Sequence, residues 1–232
     1  MRLTRAEPVG HTQSPCELAL LCRTGSHAYG TQRPDSDDDY RGVFIAPRRD
    51  LFRLKQPSYT FDRQDPDVTL HELAVFARLA AACNPTILEV LWIDPLHASS
   101  LGRELVANRH LFLSLRAHDT YGGYARQQLE RARKGTGGSR GQAHYRREKF
   151  LLHTIRLMEA GIHLLRTGEV QVRVPDPDAL WARARQPLHT IVGQFVGLDA
   201  QLADAVAHSP LPSQPDWAAI DTLLIRLREQ GS

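Results

Sequence analysis

The segment at residues 25–42 reads GSHAYGTQRPDSDDDYRG. A Gly-Ser pair opens it and directly follows a short apolar run, residues 17–22, which is typical of a buried strand. Residues 30–38 are rich in Pro, Ser and Asp and predict a loop. Residues 39–46 predict a second strand. The stretch therefore indicates a strand, a tight turn, a polar loop and another strand.

Two aspartates, Asp37 and Asp39, follow this turn. Side chains two positions apart on a strand share a side, so both carboxylates are expected to face one point. Two parallel carboxylates repel each other without a cation, and their oxygens suit Mg²⁺ together with water and substrate phosphates. Glycine and serine at the turn would let a phosphate approach the backbone closely.

This arrangement is typical of phosphoryl or nucleotidyl transfer, in which metal ions activate a hydroxyl and hold a triphosphate. A third carboxylate normally completes such a site. Asp67 is the first choice because it begins a third predicted strand, residues 67–70, after a loop. Asp62 and Asp65 compete with it but lie in a polar turn before Pro66. An acidic run is also common in solvated turns, so these residues alone leave a structural role open.

The rest of the chain is mostly helical by its pattern, and the fold class is predicted as α+β. A small mixed sheet with helices would form a core over residues 1–112, followed by a helical domain over residues 113–232. An edge strand is predicted at residues 53–61 and a glycine-rich loop at residues 135–141. Helices are predicted at residues 71–83, 86–92, 101–109, 121–134, 143–166, 179–185, 189–208 and 217–229.

Composition excludes several classes of protein. Apolar residues make up 42% and charged residues 24%, as in ordinary globular proteins. Three cysteines without CxxC spacing argue against a disulfide scaffold and a cysteine-rich zinc site. No P-loop or HExxH motif is present. No apolar run approaches the ~20 residues of a membrane span, and the first ten residues lack a signal-peptide core, so a cytoplasmic protein without a membrane partner is expected.

The helix predicted at residues 143–166 has two contrasting sides at 100° per residue. The apolar stripe is Leu151, Ile155, Met158, Ile162 and Leu165, and the basic side is Lys149, His153, Arg156 and His163. The apolar stripe is expected to be buried and the basic side to face outward. That side is either a plain solvated surface or, if it borders the aspartates, a source of positive charge for a triphosphate or an acceptor backbone.

Two motifs carry a family resemblance: GSHAYG at residues 25–30 and SDDDYRGVF at residues 36–44. Together they resemble the signature of the DNA polymerase β superfamily of nucleotidyltransferases, in particular a bacterial and phage branch associated with RNA repair. Similar segments are DVTLHEL at residues 67–73, NPTILEVLW at 84–92, KFLLHTIRL at 149–157, LRTGE at 165–169 and Val174-Pro175. The resemblance covers roughly residues 17–185 and departs from the branch at ARQP, residues 184–187.

The resemblance implies a role for each matched residue. Asp37 and Asp39 would bind two Mg²⁺ or Mn²⁺ ions, and Asp67 would join them and help to activate the acceptor hydroxyl. Gly25 and Ser26 would hold the triphosphate of an NTP. The further nucleotide-binding residues implied are Tyr29, Arg41, Lys149, His153 and Arg156.

The expected function is transfer of an NMP from an NTP to an acceptor hydroxyl, with RNA as the favoured acceptor. One alternative is transfer of AMP from ATP to a protein hydroxyl. Another is a catalytically silent module that binds nucleotides or RNA. A nuclease using the same carboxylates is less favoured, because it would leave the Gly-Ser turn without a purpose.

Overall fold

The computed structural model describes residues 16–52, 54, 59–135 and 140–231. Within them, five strands form one mixed sheet in the order β3-β4-β2-β1-β5. The strands are β1 (Glu17–Arg23), β2 (Asp39–Ile45), β3 (Thr60–Gln64), β4 (Asp67–Glu72) and β5 (His97–Ala98). β2 and β4 pair in parallel, whereas β1 pairs antiparallel with β2 and β5, and β3 pairs antiparallel with β4.

The sequence pattern places the central strands correctly. The strands predicted at residues 17–22, 39–46 and 67–70 are confirmed as β1, β2 and β4. The predicted edge strand overlaps β3 only at residues 60–61, and residues 53 and 55–58 lie outside the described part of the chain. Sequence reasoning missed β5, whose two residues are too few to form an alternating pattern.

Helices make up most of the remaining structure, so the predicted α+β class is confirmed. They are α1 (Gly25–Tyr29), α2 (Arg48–Leu51), α3 (Leu73–Ala81), α4 (Pro85–Leu88), α5 (Ser100–Ala107), α6 (Ala117–Lys134), α7 (Arg140–Thr167), α8 (Pro177–Ala184), α9 (Leu188–Ala207) and α10 (Trp217–Gln230). The helix predicted at residues 86–92 instead divides into α4 and a 3₁₀ turn, Glu89–Trp92. Of the loop predicted at residues 135–141, residues 136–139 lie outside the described residues and the last two belong to α7.

A continuous hydrophobic core joins the sheet to the helices. Its buried side chains include Leu20 of β1, Val43 of β2, Met158 of α7 and Leu202 of α9. The apolar stripe predicted on α7 is buried, as expected. This core contains residues from both sides of residue 112. The division into two domains at that residue stays a prediction. Among the described residues, no helix is both long enough and apolar enough to cross a bilayer.

Candidate active site

The parallel register of β2 and β4 brings two aspartates together. Asp39 and Asp67, the first residues of these strands, lie directly opposite each other. Neighbouring strands run about 4.8 Å apart, so carboxylates on one side of such a pair can touch. The two carboxyl groups do lie within hydrogen-bonding reach of each other. The sequence-based choice of Asp67 as the residue beside Asp39 therefore agrees with the register.

Asp37 lines the same cavity as Asp39 and Asp67, but it lies on a loop and not on a strand. This is the exposed loop before β2, as the loop predicted at residues 30–38 implies. The expectation that Asp37 and Asp39 share one side of a strand was wrong, because β2 begins only at Asp39. Its charge nevertheless acts on Asp39. One open cavity of about 680 Å³ is lined by Asp37, Asp39 and Asp67, together with Asp62 and Asp65. No three His, Cys, Asp or Glu side chains in the described part of the chain are close enough to hold a metal ion as they stand.

The neighbouring acidic residues have different surroundings. Asp62 lies in β3 and not in the turn where it was expected, whereas Asp65 does lie in the turn between β3 and β4. Asp38 forms an ion pair with Arg23, and its Oδ1 lies 3.3 Å from His27 Nε2. The Asp38 carboxylate is therefore balanced by protein groups, in contrast to the Asp39 carboxylate.

The Gly-Ser turn fits directly against Asp39. Gly25 begins α1 with a φ of +64°, a conformation that favours glycine. A Cβ at Gly25 would lie 2.2 Å from Asp39 Oδ2, so the carboxylate occupies the space that a side chain would need. Ser26 follows in the same short helix, and its carbonyl accepts a hydrogen bond from the Thr31 N–H at 2.9 Å. The Gly-Ser turn and the Asp39 carboxylate are therefore packed directly against each other.

The pKa of Asp39 is raised above its ordinary value of 3.8. Partial burial is the largest cause, and the negative charges of Asp67 and Asp37 add to it, while the Arg41 guanidinium acts in the opposite direction. Repulsion between these carboxylates is what a divalent cation would relieve.

A second cavity, of about 220 Å³, also borders Asp39. The turn and β2 contribute Gly25, Tyr29 and Arg41 to its wall, and α7 contributes His153 and Arg156. Four of the five further nucleotide-binding residues implied by the family resemblance therefore line it. The fifth, Lys149, does not; its Nζ lies 5.2 Å from the centre of the Tyr145 ring.

Arg156 corrects the prediction that the basic side of α7 faces outward. It is only 5% exposed, and its Nη1 donates to Glu89 Oε1 at 2.7 Å. Its guanidinium lies 3.6 Å from the centre of the Tyr29 ring, and the Tyr29 hydroxyl donates to Glu89 Oε2 at 2.8 Å. The prediction was wrong because this part of the basic side meets other elements instead of solvent: Arg156 contacts Glu89 of the 3₁₀ turn and Tyr29 of α1.

Sequence reasoning missed Glu89, to which it gave no individual role. This residue is 2% exposed and pairs with Arg156, which lines the second cavity. The available signal was its position within the apolar run of residues 87–92, because a carboxylate buried in such a run needs a cation. Burial alone would lower the pKa of Arg156, but Glu89 more than offsets this and the pKa is raised, so the guanidinium stays charged.

His153 is electrically neutral in this setting. Burial first, and then the nearby charges of Arg156 and Lys149, lower its pKa from 6.5 to about 3. Its ring meets the Tyr29 ring edge to face, with centroids 6.3 Å apart. His153 therefore cannot supply the positive charge expected of it at neutral pH, although its ring remains available for packing and hydrogen bonding.

A hydrogen-bond chain orients part of the polar wall of the second cavity. Thr86 Oγ1 donates to Asn84 Oδ1 at 2.9 Å, and Asn84 Nδ2 donates to the Tyr124 hydroxyl oxygen at 2.8 Å. Because Tyr124 accepts in this chain, its own hydroxyl hydrogen is left to donate elsewhere. Thr86 and Tyr124 both line the second cavity, which therefore has a hydroxyl donor in its wall.

A mixed sheet whose parallel pair sets two aspartates beside a Gly-Ser turn agrees with the DNA polymerase β type of nucleotidyltransferase that the motifs resemble. The family model described as the RNA repair pathway DNA polymerase beta family, RlaP, matches residues 4–179 of the chain. The match covers well over half of the chain, and the chain belongs to this family.

Two individual proteins are similar to the chain, at low sequence identity or over part of its length. The chain is 30% identical over 131 residues to an uncharacterized 38.9 kDa protein in the nrdC-mobD intergenic region of Enterobacteria phage T4. That alignment covers 50% of this chain and 38% of the phage protein. A crystal structure of a nucleotidyltransferase-like protein from Exiguobacterium sibiricum is 12% identical, with a TM-score of 0.29 over 93% of this chain and 71% of that one. The family assignment rests on the family match alone.

The buried Glu89–Arg156 pair is expected to be sensitive to loss of one charge. Glu89→Gln would leave the Arg156 guanidinium buried without its counter-ion and should lower the free energy of unfolding by about 3–5 kcal/mol. Urea denaturation measures this loss. Glu130→Gln is the matched control, because Glu130 pairs with Arg133 at the same 2.7 Å on the exposed surface of α6 and should change stability by less than about 1 kcal/mol. Equal, small losses in both variants would contradict this account of the pair.

The Asp39 carboxylate is expected to cost stability in the metal-free protein. A carboxyl group whose pKa is raised on folding destabilises the fold when ionised, so the cost is present above its folded pKa and disappears as the pH falls. Asp39→Asn should therefore raise the melting temperature near neutral pH, and the gain should vanish below about pH 3.8, the ordinary pKa. Thermal melts from pH 3 to pH 8 in EDTA test this, and an unchanged or lower melting temperature at pH 7 would refute it.

Proposed function

We propose that this nucleotidyltransferase transfers an NMP from an NTP to an acceptor hydroxyl of RNA, with Mg²⁺ or Mn²⁺ as cofactor. The observation that carries the proposal is the meeting of Asp39 and Asp67 beside Gly25, with Asp39 in the walls of two cavities. The acidic cavity would take the cations and the acceptor hydroxyl, and the cavity lined by α7 residues would take the nucleotide.

The carboxylates fit a divalent cation. Asp39 and Asp67 already lie within hydrogen-bonding reach of each other, and Asp37 faces the same cavity. Their hard oxygens are the donors that Mg²⁺ prefers, and a bound cation would offset the repulsion from Asp67 and Asp37, which adds to the effect of burial on the pKa of Asp39. When bound, the metal supplies Lewis acidity to the acceptor hydroxyl and charge neutralisation to the phosphates.

The side chains around the second cavity would hold and orient the triphosphate. Arg41 and Arg156 both line it and contribute positive charge. The Arg156 guanidinium is held in place by Glu89 and by the face of Tyr29, so little reorganisation is needed when an anion enters. His153, which is neutral, would contact the nucleotide through its ring or a hydrogen bond and not through charge.

The proposed transfer replaces one bond to the α-phosphorus of the NTP with another. The acceptor oxygen forms a bond to the α-phosphorus while the bond between this phosphorus and the bridging oxygen to the β-phosphate breaks, and pyrophosphate leaves. The proton of the hydroxyl passes to the Asp67 carboxylate, the acid nearest to Asp39 across the β2–β4 pair. Membership of a family described by an RNA repair pathway supports RNA as the acceptor.

Loss of the Asp37 or the Asp39 carboxylate is expected to remove the transferase activity. Asp37→Ala and Asp39→Ala should each reduce NMP incorporation into RNA by about 10²–10³-fold or more, since each would remove a charge that holds the cation. The measurement is transfer from α-³²P-labelled NTPs to RNA bearing free hydroxyl ends, in Mg²⁺ and in Mn²⁺.

The matched control is Asp65→Ala, which removes a carboxylate from the wall of the same acidic cavity without touching the β2–β4 register. Its activity should stay within a few-fold of the wild type. Full turnover in Asp39→Ala would refute the proposed transferase site. Label on protein in place of RNA would keep the transferase and replace the acceptor.

A further inference from the structure

A cluster of cations and aromatic rings lies beside the loop that carries Asp37. The rings of Tyr145 in α7 and Trp181 in α8 are nearly parallel, with an interplanar angle of 10° and centroids 6.3 Å apart. The Arg33 guanidinium lies 4.0 Å from the centre of the Trp181 ring. Lys149 lies 5.2 Å from the Tyr145 ring, and Arg185 lies 5.8 Å from the Trp181 ring. We call these five residues the cation–aromatic patch.

The patch carries positive charge that the protein only partly neutralises. In the described part of the chain, neither Arg33 nor Lys149 has a carboxylate within 4.0 Å. Arg185 lies 3.8 Å from Glu148, which also pairs with His144 at 3.1 Å. An arginine stacked flat on a ring keeps the N–H groups at its edge free for phosphate oxygens. The patch therefore favours an anionic partner.

The fold ties this patch to the site. Trp181 Nε1 donates to the Thr31 carbonyl at 3.1 Å, which fixes α8 against the loop between α1 and β2. Arg33 lies on that loop four residues before Asp37, a separation of at most about 14 Å. Lys149 lies one helical turn before His153, which lines the cavity beside Asp39. A single strand ending at Asp37 would therefore reach the patch within a few nucleotides.

We propose that the cation–aromatic patch binds the RNA acceptor a few nucleotides from the hydroxyl that reacts. This inference rests on the proposed function, because it takes RNA as the acceptor. Arg33, Lys149 and Arg185 would contact backbone phosphates, and the partly exposed Tyr145 ring would stack on a base. Contacts of these kinds recognise single strands without strong sequence preference. The acceptor would therefore be a single-stranded RNA end of tolerant sequence.

The test uses a fluorescent single-stranded 12-nucleotide RNA and the full-length protein. Fluorescence anisotropy gives the binding constant at several salt concentrations for the wild type and for the double variant Arg33→Gln/Arg185→Gln. Each phosphate that the protein no longer neutralises should reduce the slope of log K against log salt by about 0.7, so the double variant should show a slope smaller by about 1.4. At low salt its affinity should fall by about tenfold or more.

A matched double variant, Arg78→Gln/Arg103→Gln, removes the same charge from α3 and α5. These helices pack on the sheet, and each of the two arginines is exposed and donates to a backbone carbonyl of its own neighbourhood. The control should keep the wild-type slope. Equal reductions of the slope in the two double variants would overturn the patch, since only net charge would then matter.

Kinetics separate this inference from the proposed function. For Arg33→Gln/Arg185→Gln, the KM for RNA should rise while kcat at saturating RNA and NTP binding without RNA stay within about twofold of the wild type. If this variant kept its RNA affinity and its NMP transfer, the proposed RNA binding by the patch would be wrong, and the proposed transferase function would stand. Transfer only to protein would likewise remove the patch and keep the transferase, whereas full activity in Asp39→Ala would remove the proposed function itself.

Discussion

The parallel pairing of β2 with β4 is the constraint on which the site depends. It sets Asp39 opposite Asp67, and a register shift of one residue would turn one of these carboxylates to the other face of the sheet. Gly25 belongs to the same arrangement, because the Asp39 carboxylate fills the space of a Gly25 side chain. Burial first, and then the negative charges of Asp67 and Asp37, raise the pKa of Asp39, so its ionised form is disfavoured at this place in the fold.

A buried ion pair connects this unit to the helices. Glu89 receives hydrogen bonds from Arg156 on α7 and Tyr29 on α1, so one carboxylate links the turn beside Asp39 to the longest helix. A buried pair of this kind gains little net stability over apolar packing, because both charges lose their water. Its value here lies in orientation: it keeps a charged guanidinium at a fixed place on the wall of the cavity that borders Asp39.

The sequence predicted what depends on local pattern and missed what depends on packing between distant elements. Apolar runs located β1, β2 and β4, and the positions of Asp39 and Asp67 followed from where the strands begin. The helical wheel identified the buried stripe of α7 but assumed one free face. Arg156 is instead buried against Tyr29 of α1 and against Glu89, which lies 67 residues away in sequence. No periodicity within α7 could have shown this contact.

Residue types alone also could not predict which side chains of the site are charged. His153 counts as a potential cation in sequence, yet burial beside Arg156 and Lys149 keeps it neutral. Asp37 and Asp39 share a two-residue spacing that suggested one strand, but β2 pairs with its neighbours only from Asp39 onward. The loop that holds Asp37 is instead fixed from outside, through the Trp181 hydrogen bond to Thr31.

The most direct test of the central claim is an anomalous difference map from crystals grown with Mn²⁺ and a non-hydrolysable NTP analogue. We expect a manganese peak bonded to carboxylate oxygens of both Asp39 and Asp67, at roughly 2.0–2.2 Å, with the analogue's phosphates on the Gly25 side. An analogue bound with its manganese away from these two residues would contradict the central claim.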